Sequence, residues 1–479
     1  MSFSFEEGLK PEEFQILEQE EIIGASINGK RKVSTGLLSM FSSQSFSSIP
    51  FSSNRPAINI KILDPENNDE SGTSLSSESS TSIQVLRKGL VRVGTFELPE
   101  SLESLALVEY LGYTRTKAAE IFTRWTNRPD PESNPYSLKN YALVELRNLE
   151  REPLREFLDR PAEAMRRLGI SEEMVNCMLA PEHKDVFETE TLAAWLNIAM
   201  RSRYGTVAQY LDFLKAQAIR IVQTKKGNNS EKFDGVFQPA ASAPGTDAIS
   251  GTNSATMSLE SKFAGEIFPP EYVTIVQTSP QDRPGFVTLY KGKSRGYGYE
   301  KSTRLIKENG NLDMDFLATY RGGDFNGQDV AWYWTREKET AEKYREWAAS
   351  YDIHGETWIM QIQVPETFLQ SVKIEGLWYG YDWKQYLWYC KKMTRNSDLP
   401  ENLRKYATAD VMEGHICKRH PSIVPKISRQ DVQQKLAESD CLLLGNGRKS
   451  IQTVFMNWEV ADRLEPLIGG NLYVEVHLG

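Results

Sequence analysis

Cysteine is scarce: four residues, Cys177, Cys390, Cys417 and Cys441, are scattered through 479. That excludes a disulfide framework and fits a reducing compartment. No window approaches the roughly 18 consecutive apolar residues of a membrane-spanning helix. The N-terminus, MSFSFEEGLKPEEF, lacks the basic stretch and apolar core of a secretory leader. An excess of positive charge is missing too, since 56 basic residues face 65 acidic ones for a net charge of −9. Without a domain-wide positive field, no nucleic-acid partner is expected. The basic cluster Lys30-Arg31-Lys32 is too short to serve as a targeting signal. No segment recurs at a fixed period. Together these absences point to a soluble intracellular protein of the cytoplasm with no membrane contact.

What is present divides into four stretches. Residues 1–84 are rich in serine and, over 64–82, acidic; they lack a sustained apolar face, so a disordered arm is expected. Residues 85–222 carry apolar side chains at helical spacing, such as Ala118, Ile121, Phe122 and Trp125, and predict an all-α domain. Residues 223–262 combine Gly, Ser, Asn, Ala and Pro with almost no large apolar side chains and read as a flexible linker. Residues 263–479 mix strands and helices without regular alternation, which predicts an α+β domain. Its expected strands cover 272–276, 286–290, 330–334, 358–364, 441–444, 453–456 and 472–477. Helices are expected near 335–349, 383–393, 430–438 and 458–467, with Thr335 capping the first.

Several familiar chemistries fail on spacing. Gly292-Lys293-Ser294 has the end of a phosphate loop, but Val287 stands where its first glycine belongs. The glycines of SRGYGYE lack the dinucleotide fingerprint. His415, Cys417 and His420 match no common zinc pattern, and no metal site is expected. A hydrolase using Cys390 or Cys417 with His415 has no context that selects its nucleophile, and no GxSxG elbow occurs.

An ordered series of short segments remains. It comprises Leu289-Tyr290-Lys291-Gly292-Lys293-Ser294, then Asp324-Phe325-Asn326-Gly327 with Ala331-Trp332-Tyr333-Trp334-Thr335, then WIMQIQVP from Trp358. The helix Asp382–Tyr389, the segment Ala409–Ile416 and finally Gln452-Thr453-Val454-Phe455 complete it. From about Phe286 to the C-terminus this order resembles the ADP-ribosyltransferase-like fold, especially its microbial branches. The resemblance implies NAD as co-substrate, cleaved at the nicotinamide–ribose bond, with ADP-ribose passed to a protein side chain, a nucleic-acid base or water. It implies that Tyr290, Lys291 and Gly292 grip the dinucleotide, that Tyr333 stacks on the nicotinamide ring, and that Gln452 occupies the late catalytic position. Lys291 stands where active branches carry His or Arg, and Gln452 where transferases carry glutamate. Val454 removes the arginine-directed pattern. Glu356 and Glu413 are candidate substitute carboxylates. A catalytically inactive member acting as a binding or interaction protein is the alternative reading.

Overall fold

Asn28 and Gly29 both adopt positive φ, 55° and 74°, the turn that matches the twist of a two-stranded ribbon. They join β1 (Ile23–Ile27) to β2 (Lys30–Ser34), which pairs antiparallel with β4 (Thr95–Pro99). Helix α1 (Pro11–Gln19) precedes the hairpin, and Leu17, Ile23 and Val33 are buried in the core that the later helices share. The disordered arm expected over 1–84 is therefore corrected at 11–34: a short helix and a hairpin gain their apolar face from helices far along the chain. The computed structural model describes residues 9–34, 83–88, 95–129, 136–151, 154–157, 159–230, 273–275, 282–299, 312–319, 321–468 and 471–478. The serine-rich stretch 35–82 lies outside them.

The helical part follows its capping residues. Ser104, Thr114, Ser137 and Ser171 each accept a backbone N–H three residues on. They open α2 (Leu105–Tyr110), α3 (Arg115–Thr126), α4 (Leu138–Glu145) and α6 (Glu172–Met178), with α5 (Pro161–Leu168) between the last two. Thr191 does the same for Ala194 at 3.1 Å, opening α7 (Leu192–Ser230). This long helix runs through 223–230, the start of the expected linker; 231–262 lies outside the described residues.

The remaining chain forms a nine-stranded mixed sheet, order β5-β3-β12-β8-β6-β7-β11-β10-β9. Its strands are β3 (Ile83–Lys88), β5 (Val273–Ile275), β6 (Phe286–Ser294), β7 (Trp332–Thr335), β8 (Glu356–Pro365), β9 (Ile374–Leu377), β10 (Val411–His415), β11 (Ile451–Phe455) and β12 (Leu472–Leu478). The all-α expectation is corrected at the start of 85–222: β4 pairs with β2, and β3 lies parallel to β12, so this sheet draws on chain from both sides of the helices. Helices α8 (Lys338–Tyr351), α9 (Tyr381–Lys391), α10 (Glu401–Ala407) and α11 (Trp458–Ile468) cover it. The helix expected at Thr335 begins three residues later. Thr335 ends β7, its hydroxyl accepting from the Glu337 backbone N–H at 3.2 Å. The strand expected at 441–444 is reduced to two isolated bridges, and the helix at 430–438 to one turn at Val432–Lys435.

The helical part and the sheet share a core. Trp347, Ala348 and Tyr351 of α8 are buried among the helices, not against the sheet. Where α7 crosses the end of β6, a Cβ on Gly205 would lie 2.0 Å from the Gly296 carbonyl oxygen, so the backbones touch. Beside this crossing Asp352 is fully buried. It accepts from Ser294 at 2.9 Å and from Thr206 at 3.0 Å, and burial pushes its carboxyl up to about 6 despite those bonds. A raised carboxyl favours the folded state most when protonated; that contribution is full below about pH 4 and is lost as pH rises through about 6. Asp352→Asn removes the titration. Urea unfolding at about pH 4 and about pH 7 is expected to show the variant gaining roughly 2 kcal/mol on wild type across that interval. An unchanged difference contradicts the assignment.

Candidate functional site

Three adjacent strands place the site. Tyr290 of β6 stands opposite Thr335 of β7, and Thr335 stands opposite Gln452 of β11. The β6–β7 pairing ends at that single rung, although the strand from Lys291 to Ser294 runs on and stays paired to β8. Beyond the rung the sheet opens. A cavity of about 470 Å³ occupies the opening, within the usual range for small-molecule sites. Tyr290, Lys291, Gly292, Tyr333 and Gln452 all line it. Its far wall comes from the helical part, from Thr189 and Glu190 through Trp195 to Ile198.

The walls are cationic and aromatic. Lys291, Lys293, Arg321 and Lys391 line the cavity against two carboxylates, Glu190 and Asp324. Lys391 is locked: its ammonium lies 3.0 Å from Asp324 Oδ1 and donates to the Gly322 carbonyl at 2.9 Å. Burial pulls that ammonium down, but attraction to Asp324 and Glu190 outweighs burial and holds it above the ordinary lysine range. Lys291 differs. Its ammonium donates to the Leu317 carbonyl at 3.0 Å and stands 5.8 Å from the Trp334 ring centre, and burial lowers it to about 8.

Asp324 organises the polar floor. Besides Lys391 it accepts from the Cys417 backbone N–H at 2.8 Å and from Gln452 Nε2 at 3.0 Å. The same Gln452 nitrogen donates to the His415 carbonyl at 3.3 Å. Two acceptors on one side fix the amide orientation, and among the described residues the Gln452 carbonyl oxygen accepts from no donor. A glutamate here would face a carboxylate and a carbonyl. Gln452→Glu is therefore expected to lower stability by about 1–3 kcal/mol at neutral pH, most of it recovered on acidification as the new carboxyl protonates, read by thermal unfolding. Equal stability at neutral pH would contradict this geometry.

Tyr333 is anchored through its hydroxyl, which accepts from the backbone N–H groups of Phe325 and Asn326 at 3.0 and 3.2 Å. Burial, then the Asp324 charge, push this phenol well above its ordinary range, so it stays neutral. Gly292 has a packing reason to be glycine: a Cβ there would lie 1.9 Å from the Ala341 carbonyl oxygen, where α8 lies on β6. The candidate substitute carboxylates stand elsewhere. Glu356 is ion-paired with Arg295 at 2.8 Å and Glu413 with Arg336, and neither lines the cavity.

No family model, curated protein or solved structure matches the chain.

The carboxylate that the sequence reasoning missed is Glu190. It precedes the Thr191 cap of α7 and accepts from the Thr191 backbone N–H at 3.2 Å. Burial raises its carboxyl, with Lys391 opposing. Nothing near Glu190 in sequence marks it; it becomes visible once α7 docks against β6. The cysteines offer no nucleophile: burial pushes Cys390 and Cys441 up to about 12 and Cys417 well above its ordinary range. His415 Nδ1 already accepts from the Tyr379 backbone N–H at 2.9 Å. Among the described residues the one cluster with metal-ligand geometry is Glu342, Glu475 and His477. Lys338 and Arg345 already neutralise its carboxylates.

Proposed function

We propose that the cavity between β6 and β7 binds NAD and supports cleavage of its nicotinamide–ribose bond, with ADP-ribose passing to a protein side chain or to water. The observation that carries this reading is the convergence of Tyr290, Lys291, Gly292, Tyr333 and Gln452 on one cavity whose basic side chains outnumber its acids. Lys291, Lys293 and Arg321 provide positive charge for a diphosphate. Lysines act there as point charges, while the arginine offers a planar fork. The Gln452 carbonyl oxygen, held in place through Asp324, is an acceptor for a ribose hydroxyl. Departure of nicotinamide leaves a cationic, oxocarbenium-like ribose, which a nearby carboxylate stabilises. Glu190 supplies that carboxylate from the helical part, in place of a residue on β11. The aromatic side chains Tyr333, Trp334 and Tyr344 form apolar wall for the leaving ring.

Incubating the full chain with NAD and following free nicotinamide tests this reading: steady release supports it, and no release at saturating NAD overturns the catalytic part. Binding without chemistry, as an interaction protein, is favoured by one feature. Gln452, in register with Tyr290 and Thr335, is neutral and both its N–H donors point at protein acceptors. That reading predicts NAD binding with no nicotinamide formed.

Among the described residues no helix is long and apolar enough to cross a membrane.

A further inference from the structure

The cavity holds a buried lysine, Lys391, and a half-buried one, Lys291, in opposite electrostatic states. Lys391 has a carboxylate at 3.0 Å, whereas Lys291 has a carbonyl oxygen, that of Leu317, and the Trp334 ring. No carboxylate among the described residues pairs with Lys291. Lys293, two residues along the same strand, projects to the same face and donates to the Phe316 carbonyl at 3.4 Å. Arg321, exposed on the lining, adds a third positive charge on this side. A lysine withdrawn from water is the arrangement that makes an amine nucleophilic near neutrality.

We propose that Lys291 is an imine-forming amine that captures a small aldehyde or ketone carrying a phosphate or similar anionic group. This goes beyond the NAD reading and does not depend on it. The Lys291 Nζ lone pair attacks the carbonyl carbon to give a carbinolamine. Loss of water then forms the C=N bond: the carbonyl oxygen leaves with the two amine hydrogens, and no oxidant or reductant is consumed. Lys293 and Arg321 bind the anionic group and bring the carbonyl to the amine. Burial lowers Lys291 to about 8, so a substantial fraction is the free amine under mildly alkaline conditions. An ordinary exposed lysine is about 1% free amine there. The Lys391 ammonium, held by Asp324, has no such freedom and is the internal comparison.

Pyridoxal 5′-phosphate is a suitable probe, since it is an aldehyde bearing phosphate. The full chain is incubated with limiting reagent, the imine is reduced with borohydride, and modified lysines are located by peptide mass spectrometry. Lys291 is expected to be modified at least about ten-fold faster than any other lysine, following its larger free-amine fraction. Pyridoxal without the phosphate is expected to label Lys291 several-fold more slowly, and Lys291→Arg to lose the fast phase while its circular dichroism is unchanged. Labelling spread over exposed lysines with Lys291 untouched would overturn the proposal, and this wild-type map is decisive whether or not the variant folds. Equal rates with pyridoxal would overturn the anion requirement.

Discussion

Glu190→Gln is expected to lower the rate of nicotinamide release by about 100-fold or more while leaving NAD affinity within a few-fold of wild type. A factor of 100 is about 2.7 kcal/mol of barrier, the scale of removing one stabilising group aimed at charge that develops in the transition state. The amide keeps the shape of the side chain and an acceptor for the Thr191 N–H but brings no negative charge to a ribosyl cation. Wild-type release should also fall on acidification, because burial raises the Glu190 carboxyl and a protonated acid cannot stabilise the cation. The Gln variant should lack that acid limb. Stopped reactions at several pH values, with nicotinamide quantified by chromatography, provide both readouts. If Glu190→Gln releases nicotinamide at the wild-type rate, Glu190 has no part in the chemistry.

The second large effect is structural. Asp324→Ala is expected to destabilise the fold by about 3–5 kcal/mol, because it leaves a buried ammonium without its partner. Lys391 and Asp324 are both nearly inaccessible, with side-chain exposures of 2% and 7%. The same change strands the Cys417 N–H and releases the Gln452 amide. Adding Lys391→Met to Asp324→Ala should recover a good part of the loss, since no uncompensated charge then remains. Urea unfolding of the two single variants and the double variant measures the coupling. Additive losses with no recovery would show that the pair does not act as a unit.

The contrast between Asp324 and Glu190 explains how far the sequence could be read. Asp324 belongs to a local turn ahead of an aromatic strand, and that pattern is visible in the residues themselves. The expected strands at 286–290, 330–334 and 453–456 correspond to β6, β7 and β11, and their candidate residues meet because these strands are neighbours in the sheet. Glu190 depends on something no local pattern encodes, the docking of α7 on the end of β6 through Gly205 and Gly296. Trp347 shows the same limit. It lies in the helix expected near 335–349, but nothing local tells that another part of the chain would bury it. Gly292 shows that a glycine singled out for a binding role can have a packing reason. It borders the cavity, yet α8 packing accounts for the glycine. The hairpin at Asn28-Gly29 has its signal in the dipeptide itself, a signal that the reading of 1–84 as a disordered arm does not use.

The NAD assignment of the cavity is tested most directly by calorimetric titration of NAD into the full chain, alongside Lys293→Ala and Arg321→Ala. Wild type is predicted to bind one NAD per chain, and each variant to bind at least about five-fold more weakly through loss of a charge-assisted contact to the diphosphate. Absence of a binding isotherm for wild type, or an isotherm that neither substitution changes, would contradict the account.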